Sequence, residues 1–196
     1  MGIVPIVEGH GEVQAVPVLL RRLLERCEAH HVRVERHIRV PRGQLRHPDG
    51  LERAVRLACM VADDAAVLIL LDADDDCPAE LGPALLSVAR SVARASVPVA
   101  VVVARAEYES WLLAGLEGLR GRRGVREDAT APVDPESVRG AKEYLQQQME
   151  PGRYYSETVD QPALTQMFDL DRARQRSPSF DKLWREVERL AASHPA

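Results

Sequence analysis

The chain has 196 residues, enough for one domain or one domain with a small addition, and long enough to bury a core without disulfides or structural metals. Hydrophobic residues make up 45% and charged residues 29% of it, which excludes a disordered or fibrous chain. Aromatic residues make up only 4%, so an extended aromatic groove for single-stranded nucleic acid is excluded. The formal net charge of −4 provides no overall basic surface of the kind that most nucleic-acid-binding domains carry.

The charges are unevenly distributed along the chain. Residues 21–56 contain ten arginines and five acidic residues, whereas residues 63–80 contain seven acidic residues and no basic one. Such an asymmetry can mark a binding surface. Of the 26 basic residues 24 are arginine, however, so codon bias explains the basic stretch equally well.

The cysteines and apolar runs indicate the compartment. Cys27, Cys59 and Cys77 are odd in number and far apart, which argues for a reducing environment and against a zinc knuckle or a disulfide scaffold. No apolar run reaches the roughly 18–20 residues of a membrane span. Residues 2–7 are too short for the apolar part of a signal peptide and lack its basic start. We therefore expect a cytoplasmic protein without a membrane partner.

Strand and helix patterns alternate over the first 115 residues. Short apolar or alternating runs, typical of strands, lie at residues 3–7, 32–40, 66–71 and 99–103. Segments with helical spacing of apolar residues follow them at residues 12–26, 51–62, 78–95 and 108–116. This alternation predicts an α/β fold with a parallel four-stranded sheet and helices on both faces.

The rest of the chain is predicted to be mainly helical. Residues 118–136 are rich in Gly, Arg and Pro and are predicted to form a mobile loop. Helical patterns return at residues 137–149, 163–174 and 179–192. We therefore expect an α/β core over residues 1–117 and, after the loop, a helical C-terminal extension over residues 137–196 that packs on the core.

Acidic residues follow three of the predicted strands. They are Glu8 after the first, Asp72, Asp74, Asp75 and Asp76 after the third, and Glu107 and Glu109 after the fourth. The carboxyl ends of parallel strands meet at one edge of a sheet, where ligands bind. Carboxylates brought together there must be solvated, protonated or neutralised by a cation. Oxygen ligands suit Mg²⁺ or Mn²⁺, and the alternative is an acidic loop that caps helix N-termini.

The spacing of the acidic residues assigns individual roles. Asp72 and Asp74 alternate along a segment that we expect to be still extended, so both side chains point the same way and can hold one ion. Asp76 is a further ligand or the cap of the next helix. Glu12 lies one turn into the first helix and close to Glu8.

A glycine-rich turn follows the first strand. Gly9 and Gly11 flank His10, and this turn lets the backbone approach a phosphate in front of a helix N-terminus. The three residues are therefore candidates for contact with a phosphate or a nucleic acid. A histidine that simply faces solvent is an equally good interpretation of His10.

The two acidic motifs resemble those of the Toprim domain, the catalytic fold shared by topoisomerases, primases and the overcoming-lysogenization-defect nucleases. That domain carries a glutamate and a glycine after its first strand and a D-x-D or D-x-D-x-D after its third. Glu8-Gly9 matches the first motif, and the segment from Asp72 to Asp76 matches the second. Glu12 and the acidic residues after the fourth strand are more similar to the nuclease branch. The resemblance implies a Toprim/Rossmann-like fold.

The chain as a whole, including the segments 154–162 and 174–180, resembles a family of small stand-alone Toprim-like proteins. Members of that family often accompany ATPases in bacterial defence-type arrangements. Arg174, in the second segment, and Arg172, just before it, are candidates for phosphate or nucleic-acid contacts. No Walker A motif is present in this chain, so an ATPase would be a separate chain.

The resemblance implies hydrolysis of a phosphodiester bond with one or two Mg²⁺ or Mn²⁺ ions. Glu8 would act as a ligand or as the general base, Asp72 and Asp74 would hold one ion, and Glu12 with Glu107 or Glu109 would hold another. The nuclease branch also uses a lysine near the phosphate. Lys142 is the candidate for that role, and a solvated surface lysine is the alternative.

Two functions remain open from the sequence. The first is a metal-dependent nuclease that acts on DNA or RNA, in phage defence with a partner ATPase, with Glu8, Asp72, Asp74 and Lys142 as catalytic residues. The second is a non-catalytic metal- or nucleotide-binding subunit that regulates a partner ATPase.

Overall fold

A computed structural model describes residues 2–41, 43–61 and 64–193 of the chain. The strands are β1 (Gly2–Val7), β2 (Arg33–Val34), β3 (Ile38–Arg39), β4 (Ala65–Asp72) and β5 (Val99–Ala104). The helices are α1 (Glu12–Arg26), α2 (Pro48–Val61), α3 (Pro78–Val92), α4 (Glu109–Ala114), α5 (Ala141–Gln147), α6 (Asp160–Thr165), α7 (Leu170–Arg176) and α8 (Pro178–Ala192). No helix in these ranges is long and apolar enough to cross a membrane.

The strands form one parallel sheet in the order β2-β1-β4-β5, with β3 also paired to β1. The central strand β4 lies between β1 and β5, and its residue Val67 is opposite Val4 on one side and Val99 on the other. All residues of β4 except the last are apolar, and helices cover both faces of the sheet. The predicted α/β class, with a parallel sheet flanked by helices, is confirmed.

The apolar residues of β4 divide the core into two layers. Leu68 and Leu70 pack with residues of α1, α4 and α8 on one face of the sheet. Ile69 and Leu71 pack with residues of α2 and α3 on the other. Each of these four side chains is at most 1% exposed, and full burial of such a side chain contributes about 1.5–3 kcal/mol. This double burial makes β4 a rigid support for the residues at its carboxyl end.

The strand predicted over residues 32–40 is instead the two short strands β2 and β3. Both are parallel to β1, but the pairing is interrupted at Arg36 and His37. Before the interruption the Glu35 N–H still donates to the Ile3 carbonyl, at 2.9 Å. The alternating pattern identified the pairing partner of β1 and missed the break.

Two of the predicted C-terminal helices also differ. The segment predicted as one helix over residues 163–174 is α6 and α7, because the Asp169 side chain accepts a hydrogen bond from the Arg172 N–H at 3.0 Å and starts a new helix there. The helix predicted from residue 137 begins at residue 141, since Gly140 has a φ of 68°. That left-handed conformation does not belong to a right-handed helix.

Aromatic side chains connect the C-terminal helices to the sheet. Phe180 of α8 packs edge-on against Trp111 of α4 and against Phe168, with ring centres 5.6 Å apart in both pairs. The Trp111 indole N–H donates to the Ser179 hydroxyl at 2.8 Å, so this buried donor is satisfied. Residues 118–136, predicted as a loop, include the fully buried Val125, which forms an isolated antiparallel bridge with Met149.

Candidate functional site

A small cavity lies at the carboxyl ends of β1 and β4, beside the segment that follows β5. Its volume is about 100 Å³. We call it the carboxylate pocket, and its lining residues are Glu8, Gly9, Gly11, Glu12, Asp72, Glu109, Lys142, Glu157 and Gln161. The parallel topology explains the meeting of these residues, because the carboxyl ends of parallel strands share one edge of the sheet.

The turn between β1 and α1 holds the first two carboxylates. Glu12 is the first residue of α1, and its Oε2 accepts hydrogen bonds from the N–H groups of Glu8 at 3.1 Å and Gly9 at 3.2 Å. Glu8 Oε1 accepts one from the Gly43 N–H at 3.0 Å, in the loop before α2. Both side chains are buried, at 6% and 5% exposure, and these backbone donors fix their positions.

Gly11 allows the chain after α5 to approach this turn. A Cβ atom on Gly11 would lie 2.8 Å from the Glu157 carbonyl oxygen and closer still to Gln161 Oε1. Real Cβ atoms essentially never show such contacts. The glycine is therefore required for the close packing of the segment that carries Glu157 and Gln161, and not only for the turn itself.

The acidic loop, residues 73–76, follows β4 and is not extended as the sequence suggested. Asp74 has a φ of 52°, in the left-handed region, so its side chain does not continue the alternation from Asp72. Arg46 binds this loop: its guanidinium donates to the Asp72 carbonyl at 2.7 Å and to Asp74 Oδ2 at 3.1 Å, and it lies 3.4 Å from Asp76 Oδ2. Asp75 points elsewhere and pairs with Arg139 at 3.0 Å.

The third group of carboxylates follows β5. Glu109, the first residue of α4, is only 2% exposed. Its Oε1 accepts hydrogen bonds from the Tyr155 hydroxyl at 2.7 Å and from Gln161 Nε2 at 3.1 Å. Glu107 does not line the pocket, and its Oε2 accepts a hydrogen bond from the Lys142 N–H at 3.0 Å.

Burial raises the proton affinity of these carboxylates. It raises the pKa of Glu12 from 4.5 to about 7, and the charges of Glu8 and Glu109 add to the effect. Burial also raises the pKa of Asp72 well above 3.8, with added repulsion from Glu12 and Glu109. Burial also raises the pKa of Glu109, although the hydrogen bond from Tyr155 acts in the opposite direction. Full ionisation of the pocket near neutral pH is therefore unfavourable, and a bound cation would relieve this cost.

Lys142 is the cation among the lining residues. Its ammonium group pairs with the Glu157 carboxylate. Burial alone would lower the pKa of Lys142, but the hydrogen bond to Glu157 and the charges of Glu109 and Glu107 raise it. One lysine beside five carboxylates leaves the pocket with an excess of negative charge when all groups are ionised.

The other predicted nucleic-acid contacts lie away from the pocket lining. His10 is exposed and absent from the lining. Arg172 is paired with Glu117 and Asp169, each at 3.4 Å. Arg174 is paired with Asp181 at 3.0 Å and stacks on the Trp184 ring, 4.6 Å from its centre. The structure uses both arginines to join the C-terminal helices to each other and to the core.

Three residues of the site were not identified from the sequence: Tyr155, Glu157 and Gln161. All three come from the segment after α5. Tyr155 and Gln161 both donate hydrogen bonds to Glu109, from which they are separated by 46 and 52 positions in the sequence, respectively. Their only sequence signal was the resemblance of the segment 154–162 to a family motif. Periodicity carries no information about contacts of this range.

The donor set fits a hard divalent cation. Carboxylate oxygens of Glu8, Glu12, Asp72 and Glu109 line the pocket, and the buried amide oxygen of Gln161 has no hydrogen-bond partner among the described residues. Oxygen donors of this kind suit Mg²⁺ and Mn²⁺. Within residues 2–41, 43–61 and 64–193, no three His, Cys, Asp or Glu side chains already stand in a metal-holding arrangement. Ligation therefore requires side-chain rotation within the pocket.

The chain is similar to a known domain family and to solved structures. The model of DUF4276, a domain of unknown function, matches residues 7–188. Similar solved structures are the C-terminal regions of two OLD proteins. That of Xanthomonas campestris pv. campestris has 15% identity and a TM-score of 0.47, over 97% of this chain and 95% of that one. That of Burkholderia pseudomallei has 14% identity and a TM-score of 0.44, over 97% and 96%. No curated protein matches significantly.

Proposed function

The chain belongs to the DUF4276 family, a domain of unknown function, and we propose that it is a metal-dependent phosphodiester hydrolase, a Toprim-type nuclease acting on DNA or RNA. The observation that carries this proposal is the convergence of Glu8, Glu12, Asp72 and Glu109 on one small pocket beside a lysine. Burying several carboxylates together is unfavourable for a structural purpose alone. A site for Mg²⁺ or Mn²⁺ gives this arrangement a use.

We assign the ligand role to the carboxylates that line the pocket. One or two bound ions would polarise the phosphate, lower the pKa of the attacking water and stabilise the leaving oxygen. Hydrogen bonds from the Gly43 N–H to Glu8, and from Tyr155 and Gln161 to Glu109, keep both carboxylates at the pocket wall, where they would rotate to bind an ion.

Two further roles follow from charge. Lys142 provides a positive group at the pocket wall that can bind a phosphate oxygen once Glu157 moves away. Glu8, which the sequence resemblance assigns as a ligand or as the general base, is the candidate to accept a proton from the attacking water. Asp74 and Asp76 reach an ion only after they leave Arg46, so we assign them to a second, outer position.

A second candidate function is supported by the closed state of the pocket. The cavity is small, and the Glu157–Lys142 pair occupies the group that would bind phosphate. A subunit that binds a metal or a nucleotide and regulates a separate ATPase would keep the same carboxylates without performing hydrolysis. In both cases we propose a separate ATPase chain as partner, a role in a defence-type system, and action in the cytoplasm.

The test is cleavage of supercoiled plasmid, single-stranded DNA and single-stranded RNA by the purified protein. Each substrate is incubated with Mn²⁺, Mg²⁺ or EDTA. The variants are Asp72→Asn and Glu109→Gln, and the matched control is Asp75→Asn, since Asp75 is exposed and outside the pocket. We expect cleavage with Mn²⁺ by the wild type and the control only. Cleavage that the pocket variants retain would place the activity elsewhere. No cleavage by any protein, with Mn²⁺ binding intact, would favour the regulatory subunit.

A further inference from the structure

A second, larger cavity lies at the free edge of the sheet. Its volume is about 480 Å³, and its walls come from α3, β5 and the start of α8. We call it the edge groove and define it by Gly82, Leu86, Val101, Val103, Arg105 and Lys182, which all line it. Among the lining residues, α3 contributes mainly apolar ones, Arg105 and Lys182 are cationic, and the buried Glu136 is anionic and accepts hydrogen bonds from Ser177 and Ser179. None of these six residues belongs to the carboxylate pocket.

The backbone of β5 points unpaired groups into this groove. The carbonyls of Pro98 and Ala104 accept hydrogen bonds from the β4 side. The backbone N–H and C=O groups of the even-numbered residues between them therefore point toward β4, and those of the odd-numbered residues point away from the sheet. At one end of the strand the Val99 carbonyl accepts from Arg189 at 2.9 Å. At the other end the Arg105 N–H donates to the Ser179 hydroxyl at 3.4 Å. Helix α8 thus satisfies the two ends and not the middle.

Val101 and Val103 are that middle. Both residues, backbone included, are only 2% exposed, both line the groove, and their outward N–H and C=O groups have no partner in the described part of the chain. Backbone groups at a buried position are almost always hydrogen-bonded in native proteins. The groove therefore presents two donors and two acceptors in the geometry of a strand edge.

The charge at the groove selects the kind of occupant. Arg105 is exposed and forms no ion pair with any described residue, whereas Lys182 is paired with Glu186 at 3.2 Å. A guanidinium that has no ion-pair partner among the described residues and lies beside an apolar surface favours a ligand that combines apolar groups with a carboxylate.

We propose that the edge groove binds an extended acidic–apolar segment of a partner protein, which adds a short strand beside β5. The segment pairs with the outward groups of Val101 and Val103, places apolar side chains over Gly82 and Leu86, and directs a carboxylate to Arg105. At about 3.3 Å per residue, the unpaired stretch accommodates three or four residues. Strand addition to a sheet edge is a general mode of peptide recognition.

The test uses fluorescein-labelled, capped tetrapeptides of the sequences Asp-Val-Thr-Val and Val-Thr-Val-Asp, so that both strand directions are sampled. Fluorescence anisotropy measures their binding to the full chain. We expect one of them to bind, and we expect Gly82→Leu and Arg105→Ala each to weaken it at least tenfold. A Cβ on Gly82 would meet only Val103 Cγ2, at 3.8 Å, so the backbone tolerates a side chain that then fills the groove. Ala84→Leu, on the exposed side of α3, is the matched control and should bind as the wild type does.

Two further arms identify the ligand chemistry. A peptide that is N-methylated at its two central amides keeps the side chains and loses the donors, and it should bind at least tenfold more weakly. Bound peptide should also slow alkylation of Cys77, which is exposed and lines the same cavity. The proposal is overturned if neither peptide binds at millimolar concentration, or if Gly82→Leu and Arg105→Ala both leave binding unchanged. It is equally overturned if decanoate or the N-methylated peptide binds as well as the parent, which would indicate a site for amphiphiles.

Discussion

Replacing Glu12 with Gln should change how the stability of the metal-free protein depends on pH. Glu12 is 5% exposed, and its pKa in the folded protein is about 7 against a usual value of 4.5. At about 1.4 kcal/mol per pKa unit, this difference corresponds to about 3 kcal/mol of folding free energy. Gln keeps an acceptor oxygen for the N–H groups of Glu8 and Gly9 and carries no charge at any pH.

The direction follows from proton binding. Below pH 4.5 both the folded and the unfolded chain hold the proton on Glu12, and the group contributes no penalty. Between pH 4.5 and about 7 the unfolded chain releases the proton and the folded chain keeps it, so stability falls as the pH rises. Above about pH 7 the folded chain carries the buried charge, and the full penalty applies. The variant lacks this loss.

The assay is urea unfolding in EDTA at a series of pH values from 4 to 8.5. The stability of Glu12→Gln relative to the wild type should rise by about 3 kcal/mol from the low to the high end of the series. The exposed Glu150, as Glu150→Gln, provides the control, whose curve should stay parallel to that of the wild type. If the Glu12→Gln curve is also parallel to the wild type, Glu12 is not held in a buried, proton-retaining position and our account of the pocket is wrong.

Three further substitutions test how the site is held. Tyr155→Phe removes the hydrogen bond to Glu109 and should lower the free energy of unfolding by about 1 kcal/mol and weaken Mn²⁺ binding, as measured by urea unfolding and calorimetry; an unchanged affinity would show that Tyr155 does not orient Glu109. Gly11→Ala places a Cβ against Gln161 Oε1 and should cost about 1–3 kcal/mol in the same unfolding assay, and a neutral effect would contradict the close packing of this segment. Arg46→Gln releases the acidic loop and should increase protease cleavage within residues 73–76, detected by mass spectrometry, whereas unchanged protection would mean that other contacts hold the loop.

The fold was predictable where local pattern and burial agree. The wholly apolar run of β4 and the helical spacing of α1 identified a buried strand and an amphipathic helix, and α1 begins and ends where the periodicity placed it, at Glu12 and Arg26. Topology then brings the strand ends together, so acidic residues after three strands share one edge of the sheet. The structure places Glu8, Asp72 and Glu109 at one cavity, and their role as metal ligands stays a prediction.

The rest depended on contacts between distant parts of the chain. Arg46 is 28 positions from Asp74 and holds it away from the alternation that an extended strand would give. Tyr155 and Gln161 reach Glu109 from the C-terminal segment. Helix and strand periodicities report only which face of an element is buried. They do not report which hydrogen bonds complete a site.

Direct measurement of Mn²⁺ binding tests the central claim, that the carboxylate pocket holds a divalent cation. Electron paramagnetic resonance detects free Mn²⁺ as the ion is added to the purified protein at pH 8. We predict saturable binding of one or two ions by the wild type and by Asp75→Asn. Asp72→Asn and Glu109→Gln should each weaken it at least tenfold while remaining folded by circular dichroism. Absence of binding by the wild type, or equal binding by all four proteins, would contradict the account.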